Sequence, residues 1–245
     1  MNTTYDFPVS LQKVYTKAGK EMPTVRAVVR DDTNEPIANV SNKYRLIPHM
    51  DVINAARGFI SKLGTPTEGF HIAKNGALIV GEYVYKDITH AVKDDFVGLR
   101  VFIENSYNAK KRLTVKIGGL VLKCTNGMVV PRDIYSMSIR HTGDNVIEWP
   151  DHGEILDKFG AESKKWIKYG QHDLKDKYDD YLHKAVTDGV IHERALQAPT
   201  HGTTVWDLYN QFTYHITHNE SQRASQIGKI HRSEKVANWL EEIFV

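Results

Sequence analysis

The chain has 245 residues, 41% of them hydrophobic and 25% charged, which suits one large globular domain and excludes disordered and collagen-like classes. Its longest apolar runs, 77–81 and 118–122, span about five residues, where a bilayer crossing needs roughly 20, and residues 1–7 lack the layout of a signal peptide. Cys124 is the only cysteine, so an internal disulfide and a thiolate cluster are both excluded, and the expected location is a reducing bacterial host cytoplasm. The net charge of +2 is unevenly spread. Residues 1–150 hold 20 Lys/Arg against 15 Asp/Glu (+5), and residues 151–245 hold 12 against 15 (−3). A basic first half fits a polyanion partner.

In chain order, residues 26–30 and 37–40 are β-branched runs around a turn-rich segment at 31–36, and 44–47 reads as a third strand ended by Pro48. Val52, Ala55, Ala56, Phe59, Ile60 and Leu63 then follow helical spacing, closed by Gly64 and Pro66. Residues 69–73 and 77–85 flank Lys74-Asn75-Gly76, a strong hairpin signal. A second hairpin pairs 97–105 with 113–123 around 106–112. Its first strand alternates Val97, Leu99, Val101 and Ile103 with Arg100, Phe102 and Glu104, which predicts one core face and one basic, aromatic face. Residues 136–141 add a further strand.

From residue 151 the pattern is helical. The charged stretch 164–184 reads as one solvated helix. Thr204-Val205-Trp206-Asp207 has capping-box spacing and precedes an apolar face of Val205, Leu208, Phe212 and Ile216. Ser233 is placed to cap a last helix that buries Val236, Ala237, Leu240 and Phe244. The expected fold class is α+β: an antiparallel, hairpin-rich sheet in residues 1–150 with one helix, packed by a helical part at 151–245 within a single domain.

The strongest candidate site is the basic hairpin. Lys110, Lys111 and Arg112 cluster at its tip, with Arg100 and Lys116 on its strands, and such cations neutralise phosphates whatever the base sequence. Tyr107 at the turn and Phe102 on the strand are the candidate base-stacking residues. His215 and His218 are spaced to share a helix face but supply only two ligands. Asp31-Asp32 and Asp94-Asp95 read as turn residues. Phosphate-binding and dinucleotide glycine loops are absent, so no cofactor, metal or catalytic residue is assigned and an enzyme is not expected.

Two segments carry a family resemblance. Residues 119–128, Gly-Leu-Val-Leu-Lys-Cys-Thr-Asn-Gly-Met, and the later Trp206-Asp207-Leu208-Tyr209-Asn210-Gln211-Phe212-Thr213 resemble two motifs of a phage and plasmid family known as domain of unknown function 932. Ser41-Asn42-Lys43-Tyr44 is similar to its early strand, so the resemblance runs from about residue 37 to 240. It implies a mobile-element protein and transfers no activity. The expectation is therefore a phage-encoded, non-catalytic protein that binds single-stranded DNA in recombination, replication or transcription. It has no membrane association, and both phage protein partners and a homo-oligomer are compatible with it. The alternative is a protein-interaction factor that blocks or recruits a host or phage enzyme, using the 164–184 helix.

Overall fold

The computed structural model describes residues 5–122, 133–143, 147–197, 202–219 and 226–244. Cys124 and most of the 119–128 motif lie outside the described residues, as does most of the break at 198–202. The fold is α+β, and the described residues form two antiparallel sheets, five helices of regular α type and short 3-10 and π turns. No helix among the described residues is long and apolar enough to cross a membrane.

The first sheet has the order β1 (Val9–Tyr15), β2 (Glu21–Arg30), β3 (Pro36–Ser41). Its register pairs Val9 with Arg30 and Lys13 with Arg26, and a bulge falls between Lys13 and Tyr15. After α1 (His49–Ile60) come β4 (Thr67–Ala73), β5 (Leu78–Val92), β6 (Asp95–Ser106), β7 (Leu113–Val121) and β8 (Tyr135–Ile139), hydrogen-bonded in sequence order. The helical part comprises α2 (His152–Gln171), α3 (Tyr178–Thr187), α4 (Val205–Tyr214) and α5 (Gln226–Phe244).

The chain forms two compact units, and their boundary does not fall at residue 150. Unit 1 holds residues 1–83, 101–116 and 135–150. Its core joins Phe7, Val28, Val40, Tyr44 and Tyr107. There α1 buries Val52, Ala56, Phe59 and Ile60 of the predicted stripe together with Ile53, while Ala55 is exposed and Leu63 lies beyond the helix end. Unit 2 holds residues 84–100, 117–134 and 151–245, so one end of the β5–β6 hairpin belongs with the helices. Phe159 of α2 lies 5.1 Å from the His90 ring on β5. Trp206 Nε1 and Asn210 Nδ2 of α4 both donate to Asp95 Oδ2 on β6, at 2.8 and 3.0 Å. Lys93 reaches Asp207 at 2.6 Å. The capping box at Thr204 is present, and Val205, Leu208, Phe212 and Ile216 are buried.

Several local expectations are corrected. Residues 44–47 form no strand, because Tyr44 turns inward to donate to the Ser106 carbonyl. The stretch 164–184 is not one helix: α2 ends at Gln171, and a 3-10 turn at Lys175–Lys177 precedes α3. Ser233 is buried inside α5, which begins at Gln226, and does not cap it. His215 is buried while His218 is exposed and stacked on Tyr214, so the two share no face. β1 and the first half of β2 were not foreseen; Gln12, Lys13, Glu21 and Thr24 break the apolar alternation that marks a strand.

Candidate nucleic-acid interface

The β6–β7 loop is held by two of its own side chains bonding its backbone. Ser106 Oγ donates to the Lys111 carbonyl at 2.9 Å and accepts from the Lys111 amide at 3.2 Å. Asn108 Oδ1 accepts from the Lys110 amide, and Ala109 adopts φ 56° to complete the turn. At its base Tyr107 N donates to the Ala77 carbonyl at 2.7 Å, which ties the loop to the β4–β5 turn. That turn runs through Lys74 (φ 55°), Asn75 (φ 54°) and Gly76 (φ 86°). A Cβ on Gly76 would meet the Phe7 ring at 2.6 Å, so the position requires glycine.

Beneath both loops lies a neutral, hydrogen-bonded pivot. Tyr107 Oη accepts from the His49 amide at the start of α1, and the two rings stack at 3.8 Å. His49 Nε2 lies 2.9 Å from the Gly76 carbonyl. A carbonyl only accepts, so Nε2 carries the proton and Nδ1 accepts from Asn105 Nδ2 at 3.0 Å. Asn105 Nδ2 also lies 2.9 Å from the Ile47 carbonyl. Burial pushes His49 down to about 4 and Tyr107 up to about 12, and it raises Tyr44 further. His141, stacked on Tyr44 at 5.0 Å, is lowered for the same reason. These groups are uncharged near neutral pH, and they hold the loops in place.

The pivot therefore gathers cations at one end of unit 1. Lys110 and Arg112 are exposed on the tip, and Lys74 is exposed on the adjoining turn. Lys43 and Arg45 flank the buried Tyr44 and are exposed; the Arg45 guanidinium donates to the Gly143 carbonyl at 3.0 Å. Lys111 is half-buried, with Nζ 3.6 Å from the Glu104 carboxylate.

Of the predicted site residues, Lys110, Lys111 and Arg112 come together on this loop, while Lys116 is half-buried along β7. Arg100, Phe102 and Tyr107 are only 2%, 1% and 1% exposed, so none presents a surface to a ligand. The expected basic, aromatic face of β6 is thus corrected. From Val97 onward every β6 residue is buried, on both faces of the strand. The alternation misled because polar Arg100, Glu104 and Asn105 sit inside. Sequence reasoning also missed Lys74 and Arg45. The Asn-Gly turn was the available signal for Lys74, but nothing local links Arg45 to a loop some 60 residues away.

No family model, curated protein or solved structure matches the chain.

Proposed function

We propose that this is a non-catalytic, phage- or plasmid-type nucleic-acid-binding protein that takes single-stranded DNA along the basic end of unit 1. The observation that carries this reading is the pinned display of Lys110 and Arg112 beside Lys74. Their loops are ordered before any ligand arrives, so binding spends little conformational entropy on them. Phosphates are the natural complement of five exposed cations, Lys43, Arg45, Lys74, Lys110 and Arg112, on adjoining segments. The phage or plasmid origin is supported by the Trp206–Thr213 motif and by residues 41–44. Recombination, replication or transcription of a mobile element is the proposed setting, in the host cytoplasm.

Filter binding of labelled single-stranded and duplex oligonucleotides across salt concentrations tests the reading. The expected result is tighter retention of the single strand, with affinity falling steeply as salt rises. Retention that is absent at low salt would overturn it.

A specific feature of unit 2 favours the protein-partner alternative. Phe96 is 54% exposed in an open cleft with Lys86, Thr89, Asp94 and Leu122. An exposed aromatic in a cleft is the form of a protein contact. Loss of a co-purifying partner in Phe96→Ser would support that reading.

A further inference from the structure

We infer that the β1–β2 hairpin is a nucleic-acid arm that stacks an unpaired base on Tyr15 while its lysines take the flanking phosphates; the inference rests on the proposed single-strand reading. β3 accompanies β2 only as far as the pair Val25–Ser41, where Asn42 extends the contact to the carbonyls of Thr24 and Pro23. Beyond Pro23 the ribbon has two strands. From Leu11 to Lys20 every residue is exposed except the half-buried Val14.

The tip is ordered all the same. Thr16 N donates to the Lys20 carbonyl at 2.8 Å, and Gly19 N to the Thr16 carbonyl at 2.9 Å, with Gly19 at φ 78°. The Thr16 hydroxyl accepts from the Lys20 amide at 3.2 Å. Tyr15 is thereby fixed opposite Glu21 and stands 55% exposed. Leu11 at 37% and Met22 at 38% are exposed on the same ribbon. These are three of the six large apolar side chains exposed among the described residues.

Charge identifies the occupant. Between residues 11 and 26 stand Lys13, Lys17, Lys20 and Arg26 against Glu21 alone, a net +3. Glu21 holds Lys13 at 2.9 Å and lies 3.5 Å from Arg26, which leaves Lys17 and Lys20 at the tip for an external anion. Protein-binding surfaces are depleted of lysine at their centres. An exposed aromatic on a lysine-rich ribbon is instead the composition of a single-strand platform, where the ring meets a base and the ammonium groups meet phosphates. The hairpin supplies the stacking aromatic that β6 and its following loop, with Phe102 and Tyr107 buried, do not.

Titration of the full chain with an oligothymidylate carrying 5-iododeoxyuridine tests the arm. Tyr15→Ala is expected to weaken binding roughly tenfold at unchanged salt slope, while Tyr15→Phe keeps wild-type affinity. Photocrosslinking is expected on the peptide that contains Tyr15. If charge reversal at the β6–β7 tip weakens binding but Tyr15→Ala does not, and the crosslink falls elsewhere, the arm is overturned and the basic-tip reading stands. If Tyr15→Ala weakens binding but tip reversal does not, the arm stands and the tip reading fails. A dimer that Tyr15→Ala converts to monomer without loss of DNA affinity would show that the arm binds a second copy, and would overturn the inference.

Discussion

Asp95 shows how a single side chain fastens two elements of unit 2. Its carboxylate, 8% exposed, accepts from both Trp206 and Asn210, so the Trp-x-x-x-Asn spacing is that of two donors one helical turn apart. Asp95→Ala leaves both donors without their acceptor and is expected to lower unfolding free energy by about 2–4 kcal/mol. Asp95→Asn keeps an acceptor oxygen and costs less. Urea denaturation measures both, and equal stability of wild type and alanine variant would contradict the assignment.

His49 in unit 1 sets a pH response. Burial holds it down to about 4, while an unfolded histidine titrates near 6.5. Above about pH 6.5 both states are neutral and the fold keeps the full benefit of the neutral ring. As pH falls from there toward 4 the unfolded state takes up the proton first, so stability drops by roughly 3 kcal/mol. His141 and His215, both lowered by burial, act in the same direction. Replacing the ring in His49→Gln should flatten the urea midpoint against pH between 6.5 and 4. A wild-type midpoint that does not change over that window would refute the account.

At the scale of elements, legibility followed the exposure of each segment's partner face. Most of the α1 stripe read correctly because one face of that helix packs and the other meets solvent, whereas the α4 capping box was legible from its Thr-x-x-Asp spacing although α4 is buried on nearly every side. The capping box reaches further than its spacing showed: Asp207 also binds Lys93, and the nearby contacts hold its carboxyl below the usual range against the opposing effect of burial. Thr204→Ala should cost about 1 kcal/mol of stability, read from the shift in thermal midpoint. β6 read wrongly because its interior carries polar side chains, and period-2 alternation cannot separate a buried Arg100 from an exposed one. β1 was invisible for the converse reason. A ribbon exposed on both faces has no apolar face to reveal it, and there the residues that could bind a ligand replace the residues that would mark a strand.

At the scale of the whole molecule, the charge asymmetry persists when counted by structural unit. Unit 1 has 15 Lys/Arg against 11 Asp/Glu (+4), and unit 2 has 17 against 19 (−2). The basic tip at Lys110–Arg112 was legible as a run of like charge. Its neighbours Lys74 and Arg45 were not, because contacts across 30 to 60 residues of chain bring them close. The central claim, that this end of unit 1 contacts nucleic acid through phosphate charge, is tested most directly by the triple variant K110E/K111E/R112E. Its circular dichroism spectrum and thermal midpoint should confirm that it folds, since the loop is pinned mainly by Ser106, Tyr107 and Asn108. Its binding of single-stranded DNA is then measured across salt concentrations beside wild type. The account predicts much weaker binding and a salt slope reduced by about 1.4, the value for two phosphate contacts on a single strand, those of the exposed Lys110 and Arg112. Wild-type affinity and slope in the folded variant would contradict it.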